Sequence, residues 1–161
     1  MLDGVSVPKL RIVHILTLNG RNGEYGGPVR VARELCAELN KRSHASSILA
    51  GSLLGSEPES KPGLTENFVI VKPILKRFTA STLWSWRLIP RIRKNIINSD
   101  IVHIHFARDL VPYLAAFLSI ICRKPFVTQT HGMIIPDRRL STQIVDSILT
   151  RPLMNKSKVN L

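Results

Sequence analysis

Short apolar runs alternate with amphipathic ones along this sequence, without a repeat. That predicts an α/β fold: a doubly wound, mainly parallel sheet with helices on both faces. Three observations carry the expectation. Residues 10–42 read as an apolar strand (LRIVHILT), a glycine-rich loop (LNGRNGEYGG) and an amphipathic helix (PVRVARELCAELNKR). Two later apolar runs, IVHIHF at 101–106 and PFVTQTH at 125–131, flank a helical stretch. The 161 residues suffice for one domain with a core, and 44% hydrophobic content with a mean hydropathy of +0.08 fits a globular chain.

The first βα unit is the most informative. Gly26 and Gly27 precede Pro28, which suits a first helical residue because its φ is preset and its missing N–H is not needed there. Glycines at that point let the backbone turn sharply and let a ligand approach free amides at the positive end of a helix. Gly20, Gly23, Gly26 and Gly27 do not form the G-x-G-x-x-G fingerprint, and no Gly-Lys-Ser/Thr follows. The loop therefore reads either as an anion or substrate site or as a surface turn that needed glycine.

Residues 44–51 (HASSILAG) predict a second strand. The stretch 52–67, rich in Gly, Pro, Ser and Glu, predicts a loop, and 68–71 (FVIV) a short third strand ended by Pro73. The segment 76–99 contains no acidic residue. Within it Trp84, Leu88, Ile92 and Ile96 recur every four positions as an apolar helical stripe, while Arg87, Arg91 and Lys94 gather on another face. Pro90 is expected to kink or divide this helix. The helix reads as core-facing with a solvated basic face, or as a membrane-surface helix. Asp100 introduces the next strand, a helix follows over 109–122, and the strand 125–131 ends at His131-Gly132. A last helix is predicted over 140–153, with Arg151-Pro152 near its end, and 159–161 reads as the first half of a further strand.

The apolar run at 110–122 falls short of the ~20 residues that span a bilayer. The N-terminal residues lack a signal-peptide layout. Cys36 and Cys122 lie in apolar helical patterns and read as reduced core residues of a cytosolic protein. A net charge of +12 points to an anionic partner: nucleic acid, anionic lipid or a phosphorylated substrate. No nucleic-acid reader motif is present, so nucleic acid is not the expected one. A non-enzymatic basic module on a membrane surface or nucleic acid is the alternative to an enzyme.

Histidines carry the candidate chemistry. His103 and His105, two apart on one strand, share a face. Such a pair chelates zinc given a third ligand, here His131, and a carboxylate such as Asp109 or Asp137. With no H-E-x-x-H or Cys-x-x-Cys pattern, no metal is expected. His103 sits mid-strand and reads as packed, whereas His105 is near the carboxyl end, where side chains reach a cleft. His131 is the strongest candidate, because an imidazole at a strand end can hydrogen-bond a bound hydroxyl at neutral pH. Its alternative role is to cap the loop. No G-x-S-x-G elbow or cysteine–base pair offers a nucleophile.

In their order and separations, GGPVRVARELCAELNKRSH, DIVHIHF and PFVTQTHGM resemble the N-terminal half of the family 4 glycosyltransferases, retaining enzymes of the GT-B fold. The resemblance runs from Arg11 to Leu161. It implies a Rossmann-like domain that holds the acceptor and faces, across a cleft, a C-terminal domain holding a nucleotide-sugar donor. That second domain is absent from the sequence, so 1–161 is expected to be a single, truncated domain without transfer activity of its own. By resemblance His131 is the active-site histidine beside the transferred sugar. Gly26 and Gly27 bring amides to the donor diphosphate, and His105, Gly132 and Glu24 line the cleft.

The implied acceptor is a carbohydrate or a lipid-linked sugar, with Arg87, Arg91 and Lys94 facing an anionic membrane, joined by Lys76 and Arg77. No cofactor or metal is implied beyond the nucleotide sugar as co-substrate. The implied place is the cytoplasm, at the inner face of the membrane. Ser43 departs from the family, which commonly has glycine there, and this is expected to affect only the turn into the second strand.

Overall fold

The sheet is ordered β4-β3-β2-β1-β5-β6, and every pairing is parallel except β3 with β4. These strands are β1 Arg11–Leu18, β2 Ala45–Leu53, β3 Thr65–Pro73, β4 Leu83–Trp84, β5 Ile101–His105 and β6 Phe126–Gln129. The computed structural model describes residues 8–18, 20, 26–56, 58–75, 81–135 and 137–161. Because β1 sits between β2 and β5, the strand order reverses there. In open α/β sheets such a switch point leaves a crevice at the carboxyl ends of the strands.

Helices cover both faces, as the alternation predicts. On one face α1 (Gly26–Lys41) packs Val29, Ala32 and Cys36 against Leu16, Ile48 and Ala50. On the other, α2 (Leu88–Ile97) and α3 (Leu110–Ile121) pack Leu88, Ile92, Ile96, Val111 and Ala115 against Val13, Ile15, Val102 and Ile104. Both cysteines are free, Cys36 buried and Cys122 half-buried.

Several elements depart from expectation. Pro28 is the third residue of α1, not the first, and Gly26 and Gly27 are themselves helical. β3 starts inside the predicted loop, because residues 65–67 pair with Ser47–Leu49. Trp84 belongs to β4 rather than to the basic helix, whose first residue is Leu88. Pro90 therefore lies in the first turn of α2, where no N–H is needed, and starts the helix instead of kinking it.

The C-terminal helix runs as α4 (Leu140–Val145), a π-helical turn (Asp146–Thr150) and α5 (Arg151–Asn155). Pro152 cannot donate to the preceding turn, and a local π turn is one way a helix absorbs that. β6 ends two residues before His131, which sits in a turn at φ +51 beside Gly132 at φ +72. Residues 158–161 extend the sheet beside β6, with the Lys158 N–H donating to the Phe126 carbonyl and that of Leu161 to the Thr128 carbonyl, both at 2.8 Å.

One glycine is sterically required. The register of β1 on β2 shifts between Leu16 and Leu18, so Thr17 bulges. A Cβ on Gly51 would meet the Thr17 carbonyl oxygen at 2.5 Å. The missing side chain thus permits the bulge that turns Thr17 toward the crevice.

Candidate functional site

Parallel pairing sets His14 of β1 directly beside His103 of β5, and His105 lies two residues on at the strand's carboxyl end. Val13, Ile15, Val102 and Ile104 fill the opposite face, so alternation sends all three imidazoles to the α1 face. The turn after β6 adds His131. Ring centroids run 4.8 Å from His14 to His103, 4.6 Å from His103 to His105 and 5.0 Å from His105 to His131, the last two pairs stacked. His105 is bonded through both nitrogens: Nδ1 lies 2.7 Å from His131 Nε2, and Nε2 lies 3.3 Å from His14 Nδ1.

Burial keeps these rings uncharged. Loss of solvent, helped by the neighbouring imidazoles, lowers His14 to a pKa of about 3, His103 to about 4 and His105 to about 2. Half-exposed His131 is lowered too, by burial. The Nε2 atoms of His14 and His103 are buried with no hydrogen-bond partner among the described residues.

The crevice floor is polar. Asp109, the residue before α3, leaves the helix end uncapped and accepts a hydrogen bond from the Thr17 hydroxyl at 2.8 Å. Burial raises its pKa, and the bond to Thr17 works against that. Thr17, His105, Asp109, Pro28 and Met133 line a cavity of about 30 Å³, so the start of α1 and the end of β5 share one wall. A larger cleft of about 590 Å³ lies between α1 and the β2–β3 loop, lined by Gly26, Arg30, Arg33 and Lys61 among others. Its loop is pinned by Arg33, whose Nη2 donates to the Glu59 carbonyl at 3.1 Å while its Nε donates to the fully buried Glu66 carboxylate of β3 at 2.7 Å.

The structure brings His105, His131 and Gly132 together, and it sets Gly26 and Gly27 on the first turn of α1. Among the described residues outside the helix's own backbone and the adjoining residues, no atom lies within 4 Å of where a Cβ on either glycine would be. Glu24, Lys76 and Arg77 lie outside the described residues. Arg87, Arg91 and Lys94 are exposed along α2, on the opposite face of the sheet from the histidines, and so form a separate surface.

For a metal, the trio that gathers is His14, His103 and His105, with ligating nitrogens within 4.8 Å of one another. His131 instead bonds to His105, Asp109 to Thr17, and Asp137 to Arg139 and Thr142. Within the trio His14 and His105 share a hydrogen bond, while His103 meets both only through its ring.

His14, Thr17 and Arg108 are absent from the sequence-derived site. A polar residue inside the apolar run LRIVHILT was the one available signal for His14.

Residues 25–160 match the family model of Glycosyltransferase Family 4. The chain belongs to glycosyltransferase family 4. Its fold also resembles a glycosyltransferase from Rickettsia africae, with a TM-score of 0.52 and 16% identity over 95% of this chain and 36% of that one. A second likeness is to MurG of Acinetobacter baumannii, with a TM-score of 0.54 and 10% identity over 95% of this chain and 40% of that one. At such identities the likeness is one of fold. This family 4 chain is an α/β, Rossmann-like domain that matches one half of a GT-B fold, and it spans less than half the length of either structure. No curated protein matches it in sequence.

Proposed function

We propose that residues 1–161 are the acceptor-side, N-terminal half of a retaining glycosyltransferase that moves a hexose from a nucleotide sugar to a carbohydrate or lipid-linked acceptor. The observation that supports this reading is the convergence of His105 and the start of α1 on the switch-point crevice, where ligands of open α/β sheets bind, with His131 hydrogen-bonded to His105. In the reaction the acceptor hydroxyl oxygen bonds to the anomeric carbon on the face the diphosphate leaves. The diphosphate departs with the bonding electron pair and takes up the hydroxyl proton. Amides of the first turn of α1, at Gly26 and Gly27, stabilise the charge developing on that group, which asks no metal or other cofactor of this chain. The donor grip belongs to the family's second domain, outside these residues.

The acceptor, on this reading, is met at a membrane. Trp86, Ile74 and Leu75 are 78%, 59% and 53% exposed, and Arg87, Arg91 and Lys94 are exposed on the neighbouring helix. On the same reading attachment is peripheral, at the cytoplasmic face, in the building of cell-envelope polysaccharide. Among the described residues no helix is long and apolar enough to cross a bilayer.

Titrating the ¹⁵N-labelled chain with polyprenyl-diphosphate sugars and with free oligosaccharides tests the assignment. Acceptor binding is expected to shift resonances of His105, Asp109 and His131, while nucleotide sugars added to residues 1–161 release no nucleotide. Shifts confined to other surfaces, or turnover by this chain alone, would overturn the acceptor-half reading.

A further inference from the structure

We propose that His14 and His105 are positioning residues that fix the proton of His131 on Nδ1, so that His131 meets the crevice as a hydrogen-bond donor and not as a base. The three rings form one chain: His14 Nδ1 to His105 Nε2 at 3.3 Å, then His105 Nδ1 to His131 Nε2 at 2.7 Å. A neutral imidazole carries one N–H and one lone pair, so neighbouring rings must hand protons along in the same direction.

Only two arrangements use both contacts. In the first, His131 Nε2–H donates to His105 Nδ1, and His105 Nε2–H donates to His14 Nδ1. His14 must then hold its proton on Nε2, and that atom is buried without a partner among the described residues. In the second every donor reverses: His14 Nδ1–H donates to His105 Nε2, and His105 Nδ1–H donates to His131 Nε2. His14 then ends the chain with a bare lone pair, and His131 carries its proton on Nδ1.

Orphaned buried N–H groups are rarer in proteins than under-used acceptors, so the second arrangement is the lower in energy. His103 stacks on His105 and lies tilted against His14 but makes no hydrogen bond to either ring, and so does not alter the direction. The buried end of the relay therefore dictates the chemistry of its half-exposed end.

For the ligand this selects an acceptor oxygen opposite His131, such as a sugar hydroxyl lone pair or a phosphoryl oxygen. His131 holds no lone pair with which to take the acceptor's proton. This use of the proton rests on the glycosyltransferase reading of the crevice; the proton order itself rests on the three rings alone.

Two-bond ¹H–¹⁵N correlation spectra of the histidine-labelled 161-residue chain, at neutral pH and without ligand, read each tautomer directly. The chain contains an internal reference: the Leu10 N–H donates to His44 Nδ1, which places the His44 proton on Nε2. His14, His105 and His131 are expected in the opposite, Nδ1–H form. In a His105→Phe variant His131 is expected to shift toward the Nε2–H form. His131 as Nε2–H in the wild type would overturn the proposal. So would a spectrum with His14 Nδ1 and His105 Nε2 both unprotonated, the pattern of a bound metal, or an unchanged His131 in the variant. If the variant does not fold, the wild-type spectrum still decides the order. Loss of the acceptor-half reading would leave that spectrum as expected.

Discussion

The Arg108 guanidinium holds both carboxylate oxygens of Asp146 at 2.8 Å, joining the loop between β5 and α3 to the π-helical turn of the C-terminal helix. The same guanidinium donates to the carbonyls of Met133 and Ile135, in the segment that follows His131. One side chain thus fixes the far wall of the crevice. Both partners are half-buried, so removing one leaves the other unpaired and partly out of water. Arg108→Ala is expected to cost about 2–4 kcal/mol, between the values for exposed and buried pairs, read as a lowered urea midpoint. Arg108→Lys should recover only part, since an ammonium cannot make the two parallel bonds. Wild-type stability in Arg108→Ala would remove Arg108 from this role.

Stability should fall as pH falls from neutrality. His14, His103 and His105 titrate at about 3, 4 and 2 in the folded chain, below the ordinary 6.5, so the unfolded chain binds protons that the folded one refuses. Their contribution is whole above pH 6.5 and is lost progressively as pH drops toward 4 and below, at up to about 1.4 kcal/mol per pH unit for each ring. Asp109, raised by burial, works in the opposite direction and offsets part of the loss. Urea midpoints at pH 7.5, 6, 5 and 4.5 measure the slope, which His103→Leu should make shallower. A flat profile would mean that these rings are not buried neutral.

Two helices end on side chains in a conformation that favours glycine. Ser43 at φ +67 and Arg123 at φ +53 each follow a helix, with paired bonds back to its last carbonyls: Ser43 to Asn40 and His44 to Leu39, Arg123 to Ile120 and Lys124 to Ser119. This is the Schellman closure, in which the left-handed residue is usually glycine. Ser43→Gly and Arg123→Gly should each stabilise the chain by about 0.5–1 kcal/mol, seen as a raised melting temperature. The departure of Ser43 from the family pattern thus falls where expected, in the turn into β2.

Vesicle co-sedimentation tests the basic face of α2. The wild-type chain is expected to bind vesicles rich in anionic lipid and to be released by salt, since exposed charges are screened beyond about 8 Å at physiological ionic strength. An Arg87→Glu/Arg91→Glu/Lys94→Glu variant should lose binding, and Trp86→Ser should weaken it at any salt. Equal sedimentation of wild type and the triple variant would leave α2 as a solvated helix surface.

In an enzyme carrying both halves, His131→Ala should lower turnover by roughly tenfold to a thousandfold with the fold retained, the cost of one positioned polar group. His103→Ala should instead lower the urea midpoint and spare turnover, because His103 is packed mid-strand. Unchanged turnover in His131→Ala would return His131 to a structural turn residue.

The sequence by itself determined the succession of strands and helices apart from β4, because apolar periodicity and turn chemistry are local properties. It also singled out His105 and His131, since both stand at carboxyl ends of apolar runs. Where local signals competed, their outcome depended on neighbours: Pro90 initiates α2 because Trp84 is drawn into pairing with Lys72, leaving the helix to start later. Only the tertiary structure decided that His14 joins His105 from 91 positions away, and that Arg108 reaches Asp146 from 38. The crossover connections that make β1 and β5 neighbours bring those groups within hydrogen-bond range, and no local pattern records a partner set by the order of strands in a sheet.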